Sequence, residues 1–131
     1  RINPENSRRL QSDFPQLYRS QRLDPLRQDQ PTLLALRGFE CGDGWMDLIY
    51  RLSQAISTHI GSAGLDVVAT QVKEKFGTLR FYVDGGDEEV FRLIDSAEQE
   101  SATICESCGA PGTLTMKGWC STLCESCRQK C

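Results

Sequence analysis

Leu65-Asp66-Val67-Val68-Ala69-Thr70-Gln71-Val72-Lys73-Glu74-Lys75-Phe76-Gly77-Thr78-Leu79-Arg80-Phe81-Tyr82-Val83 reads as two strands and a turn. Val68, Thr70 and Val72 alternate with Ala69, Gln71 and Lys73. Leu79, Phe81 and Val83 alternate with Thr78, Arg80 and Tyr82. A period of two is the mark of a strand with one buried face. Lys75-Phe76-Gly77 between the runs supplies the glycine-bearing turn of a hairpin.

Upstream, Gly42-Asp43-Gly44 opens a helix in which Trp45, Leu48, Ile49, Leu52, Ile56 and Ile60 recur every three or four positions. Asp43 is the expected N-cap and Gly61 the expected C-terminal stop, with His59 in the last turn. Downstream, Gly85-Gly86 ends the second strand and Asp87 is placed to cap another helix. Its expected buried stripe is Val90, Phe91, Ile94, Ala97 and Ser101, with Glu88 and Glu89 in the first turn. The fold class is therefore α+β: a helix–β-hairpin–helix body over residues 38–104, both helices on one face of a small sheet. Residues 1–37 carry Leu10, Phe14 and Leu17 at helical spacing, broken by Pro15, Pro25 and Pro31. They predict an irregular segment with short helices that wraps the body.

Residues 105–131 are a different chemistry. Six of the seven cysteines lie there, and Cys105-Glu106-Ser107-Cys108 is repeated as Cys124-Glu125-Ser126-Cys127. The C-x2-C-x15-C-x2-C spacing fits a four-thiolate zinc site, because two intervening residues let a tight turn aim both sulfurs at one ion. Gly109 permits the positive φ that such a knuckle uses. Thr113–Met116 and Trp119–Leu123 can form strands around Lys117-Gly118. Cys105, Cys108, Cys124 and Cys127 are the favoured ligands, with the slipped set Cys105, Cys108, Cys120 and Cys124 as the alternative. Cys120 then reads as a small buried thiol, Cys131 as a bystander and Cys41 as a packing residue. Four thiolates fill the coordination shell, so the expected Zn2+ is structural, one per chain. Glu106 and Glu125, between paired ligands, are expected to face solvent.

Composition narrows the remaining classes. The 131 residues hold 15 Lys and Arg against 18 Asp and Glu, a net charge of −3, with 39% apolar residues. That balance suits a soluble globular protein and argues against binding nucleic acid through bulk charge. No apolar run is long enough for a membrane span or a secretory core. An odd number of cysteines, clustered rather than spread, favours reduced thiols in the cytoplasm over a disulfide scaffold. His59 is the only histidine, so any triad must pass through it, and no phosphate-loop motif is present. No catalytic or cofactor-binding residue is assigned.

Several of these stretches resemble a family of small proteins from bacteria and their phages. They are Phe14-Pro15-x-Leu17-Tyr18, Gly42-Asp43-Gly44-Trp45-x-Asp47-Leu48-Ile49, the run from Val72 to Tyr82, and Cys105-Glu106-x-Cys108-Gly109-Ala110-Pro111-Gly112. The family often has a histidine in the last ligand position, where this chain has Cys127. The resemblance thus supports Cys105, Cys108, Cys124 and Cys127 as the ligand set and puts Cys120 on an apolar position. It implies a fold and a habitat, not an activity.

The leading functional expectation is a non-enzymatic binding protein that neutralises a protein partner, as an immunity protein, an antitoxin or a phage-type inhibitor does. Its contact surface is assigned to Asp84, Asp87, Glu88, Glu89, Asp95 and Glu98, because acidic patches suit targets that handle nucleic acid. The alternative is a nucleic-acid-binding zinc-ribbon regulator using Lys73, Lys75, Arg80, Lys117 and Arg128, with Phe76, Phe81 and Tyr82 on the hairpin. An enzyme built on His59 or Asp43 is the third class.

Overall fold

Trp45, Met46, Leu48, Ile49, Leu52, Ile56 and Ile60 bury one side of the longest helix, and the rest of the molecule is arranged around that stripe. The computed structural model describes residues 1–130. Helix α1 (Pro4–Asp13) and the short α2 (Leu33–Arg37) precede strand β1 (Phe39–Glu40). A single 3-10 turn (Asp43–Trp45) leads into α3 (Met46–Ala63). Strands β2 (Val67–Lys75) and β3 (Thr78–Gly85) form the hairpin, followed by α4 (Glu88–Ser101). A second hairpin, β4 (Thr113–Thr115) and β5 (Ser121–Leu123), ends in α5 (Glu125–Gln129). The fold is mixed α+β.

Two expected boundaries move, each for a local reason. Helix α3 runs through Gly61 and stops at Gly64, whose φ of 67° turns the chain so that the Leu65 N–H bonds the Ile60 carbonyl at 3.0 Å. Asp43 does not cap α3. Its carboxylate instead takes the backbone N–H of Asn3 at 2.9 Å and the side-chain amide of Asn6 at 3.1 Å, tying the start of α1 to the 3-10 turn.

The hairpin is more elaborate than simple alternation. A bulge between Ala69 and Gln71 shifts the phase of β2, so Val67, Ala69 and Val72 face the core while Thr70 and Gln71 face outward. Leu79 and Phe81 meet them from β3. β1 adds a short parallel strand, pairing Phe39 with Val72 and Glu40 with Lys73. The free edge of β3 is closed by side chains of α4. Leu79 N–H donates to Ser101 Oγ and Phe81 N–H to Glu98 Oε2, both at 2.9 Å. An open edge would invite another strand, and α4 side chains take two of the donors of this one.

Residues 1–37 carry two short helices and pack into the core of the body. Asn3 caps α1 with Pro4 in its first turn, and Leu10, Phe14, Leu17, Tyr18 and Leu34 belong to the same core as α3 and the sheet. Tyr18 Oη lies 2.6 Å from Ser53 Oγ, which satisfies both hydroxyls inside that core. In α4, Asp87 caps as expected by accepting the Val90 N–H. Val90, Ile94, Ala97 and Ser101 are buried, but Phe91 is not: it is 52% exposed.

Candidate metal centre

The cysteine module is bolted to the body at three points, and each one explains a residue of the sequence. Gly44 N–H donates to the Glu106 carbonyl at 2.8 Å, and Gly42 N–H to the Glu106 carboxylate at 3.0 Å. A Cβ on Gly44 would sit 2.1 Å from the Cys105 carbonyl oxygen, so only glycine lets the chain lie this close to the first knuckle. Trp45, fully buried, donates its indole N–H to the Ile104 carbonyl at 2.8 Å. At the other end, Thr122 Oγ1 donates to the Gly77 carbonyl at 2.7 Å.

This mounting brings Cys105, Cys108, Cys124 and Cys127 together, their sulfurs all within 4.8 Å of one another. Cys108 Sγ and Cys124 Sγ are 3.7 Å apart. A tetrahedron of sulfurs about 2.3 Å from a central zinc has edges of about 3.8 Å. The donor set and its spacing therefore fit a four-coordinate metal site and are compatible with zinc. Cys127 N–H lies 3.4 Å from Cys124 Sγ, the amide-to-sulfur contact of a knuckle, and Gly109 takes a φ of 84° after the first pair. Burial raises the Cys105 thiol, but the backbone N–H groups of Cys124, Cys108 and Ser107 outweigh it and bring it down to about 6. Cys127, crowded by the Cys124, Cys108 and Cys105 sulfurs, is pushed up to about 12. A metal bound by thiolates takes the place of their protons, so its binding releases them.

The other sulfurs stand apart. Cys120 is half-buried ahead of β5 rather than buried on it, with Sγ 3.9 Å from the Met116 carbonyl. The slipped ligand set is not assembled. Cys41 is buried in the core, and burial pushes its thiol far up, as suits a packing residue. Cys131 lies outside the described residues. Glu106 does not face solvent: it is turned inward onto Gly42, and burial raises its carboxyl. Glu125 is exposed and accepts from Gln129.

The acidic residues assigned to a partner are divided by the structure. Asp84 is enclosed, its side chain 11% exposed, and forms two bonds of 2.8 and 3.0 Å with an Arg22 guanidinium that is 8% exposed. Asp87 caps α4 and binds His59 Nε2 at 2.9 Å, which holds its carboxyl below the usual range. Glu98 is spent on the β3 edge, and Glu89 pairs with Arg92. Glu88 and Asp95 stand exposed on α4.

Of the basic residues, Arg128 is consumed inside the module, donating to the Thr113 and Leu123 carbonyls. Of the hairpin aromatics, Phe81 is in the core while Phe76 and Tyr82 are exposed. The role of Gly42 and Gly44 was the feature that sequence reasoning missed. Two glycines bracketing a helix start were the available signal. No helix among the described residues is long and apolar enough to cross a membrane. Comparison of the chain with protein-family models, curated proteins and solved structures gave no match.

Proposed function

We propose that this chain is a cytoplasmic binding protein, braced by one structural zinc, that neutralises a partner protein by covering it. Immunity proteins, antitoxins and phage-type inhibitors act in this way, and the sequence resemblance to small bacterial and phage proteins points to the same setting. The observation that carries the reading is Phe91, an aromatic side chain left half in solvent on α4 between the exposed acids Glu88 and Asp95. A bare aromatic anchor ringed by charge is the usual composition of an interface hot spot. With four thiolates and zinc in place the chain carries a net charge of about −5, which favours a basic target.

The test compares captures from native cells by the wild-type chain and by a Phe91→Ala, Asp95→Lys double variant. A protein held stoichiometrically by the wild type and lost by the variant supports the reading. Capture of nucleic acid alone, or of the same protein by both chains, overturns it.

A further inference from the structure

The tip of the β2–β3 hairpin packs against the β4–β5 hairpin, and the turns of both carry exposed apolar side chains. The β2–β3 turn holds Phe76 and Gly77, and the β4–β5 turn holds Met116, Lys117, Gly118 and Trp119. The turns touch. A Cβ on Gly77 would lie 2.5 Å from Leu114 Cδ1 and 3.2 Å from the Cys120 carbonyl carbon, and Thr122 binds the Gly77 carbonyl. Phe76 and Trp119 are thus each one residue from the same contact. Trp119 is 85% exposed, Met116 64% and Phe76 62%.

Phe76 is also strained. It takes a φ of 54°, the one non-glycine residue at positive φ among those described. A turn at this position is served without strain by glycine or asparagine, so a bulky ring held there is an outlier of the kind that marks contact surfaces.

The charge at the tips has one sign. Lys75 stands 5.5 Å from the centroid of the Phe76 ring, and Lys117 sits in the neighbouring turn. Neither lysine has an ion-pair partner among the described residues, where the pairs are made by arginine and histidine. No acid occurs from Ser107 to Cys124, and the nearby Glu74 carboxylate is turned onto the Gly77 N–H at 2.7 Å.

We infer that the paired tips bind single-stranded nucleic acid, with Phe76 and Trp119 stacking on bases and Lys75 and Lys117 facing phosphates. Exposed π faces beside unpaired ammonium groups are the chemistry such strands need, and duplex DNA, its bases already stacked, does not offer it. The net charge, −3 by sequence and about −5 with zinc and four thiolates, opposes the contact at long range, so the binding is local and salt-limited. This surface is separate from α4, and the inference stands or falls independently of the protein partner.

The probe is fluorescein-labelled oligo-dT of 20 nucleotides, titrated against the zinc-loaded full chain at 50 mM salt. Trp45 is buried and Trp119 is bare, so quenching of tryptophan emission reports the tip. Two phosphate contacts give a salt slope of about −1.4, a loss of about sevenfold between 50 and 200 mM. Trp119→Ala and Phe76→Gly should each weaken binding about tenfold. Glycine is the unstrained choice at residue 76, so that variant tests the ring without risking the fold. A duplex of the same length should bind worse. Absence of quenching and of an anisotropy change overturns the inference, as does binding indifferent to both variants. Loss of a captured protein on Phe76→Gly, with no oligonucleotide binding by the wild type, overturns it in favour of a protein contact at the tips.

Discussion

Thr122 Oγ1 reaches the Gly77 carbonyl at 2.7 Å in a site closed to solvent, and that one bond joins the cysteine module to the tip of the body's hairpin. Thr122→Val keeps the shape and removes the donor, leaving a buried acceptor unpaired. The cost is about 2 kcal/mol, or a melting temperature lower by about 5–10 °C. Calorimetry of the metal-loaded variant measures it. A melting point matching the wild type would mean that the two hairpins are not coupled through this bond.

Gly44 makes a sharper demand. Its missing Cβ leaves room for the Cys105 carbonyl, and backbone on both sides cannot give way. Gly44→Ala should cost more than about 2 kcal/mol and loosen metal binding, because the first knuckle is displaced with it. Gly61→Ala is the contrasting case. Gly61 is helical within α3 and has nothing within 4 Å of its Cβ position, so alanine there should add about 0.5–1 kcal/mol. Competition with a chromophoric chelator reads the metal affinity, and chemical denaturation reads the stability. Equal behaviour of the two variants would contradict the role given to Gly44.

The ligand set was legible because knuckle chemistry is local: two residues between cysteines suffice to aim a pair, whatever lies elsewhere. The hairpin and the α4 cap were legible for the same reason, since Gly77 and Asp87 act on their immediate neighbours. What stayed hidden depends on distance. Arg22 and Asp84 are 62 positions apart, and each alone looks like a surface charge. Glu98 reads as an exposed helix acid until β3 is laid beside it. The bulge at Thr70 reverses which β2 side chains face inward, and nothing in an unbroken alternation announces it. Phe91 fits a helical stripe by spacing, yet α4 turns it outward.

Metal removal separates the module from the rest. The main core is drawn from α1, α3, α4 and the three-stranded sheet, while β4 and β5 are three-residue strands with little apolar cover. Chelation should therefore release about one zinc per chain and melt residues 105–130 while the body stays folded. Trp119 is bare either way, so the informative signal is the buried Trp45, whose indole is bonded to Ile104 beside the first knuckle. Native mass spectrometry gives the stoichiometry. An apo mass with intact disulfides would reject the metal site.

Acid stability should trace to the Arg22–Asp84 pair. The hydrogen bonds from Arg22, then that from the Leu23 N–H, hold the Asp84 carboxyl below the ordinary value of about 3.9. A carboxyl lowered in the folded state stabilises the protein at pH values above its unfolded value, and that contribution drains away as pH falls toward the lowered folded value. Asp84→Asn keeps the size, discards the charge and strands an enclosed guanidinium, at a cost on the order of 3 kcal/mol near neutral pH. The same change should flatten the decline in stability below about pH 4, because the residue that titrates there is gone. Urea denaturation between pH 3 and 7 tests both halves. If the variant lost stability by the same amount at every pH, Asp84 would be a packing group and not the titrating partner of Arg22.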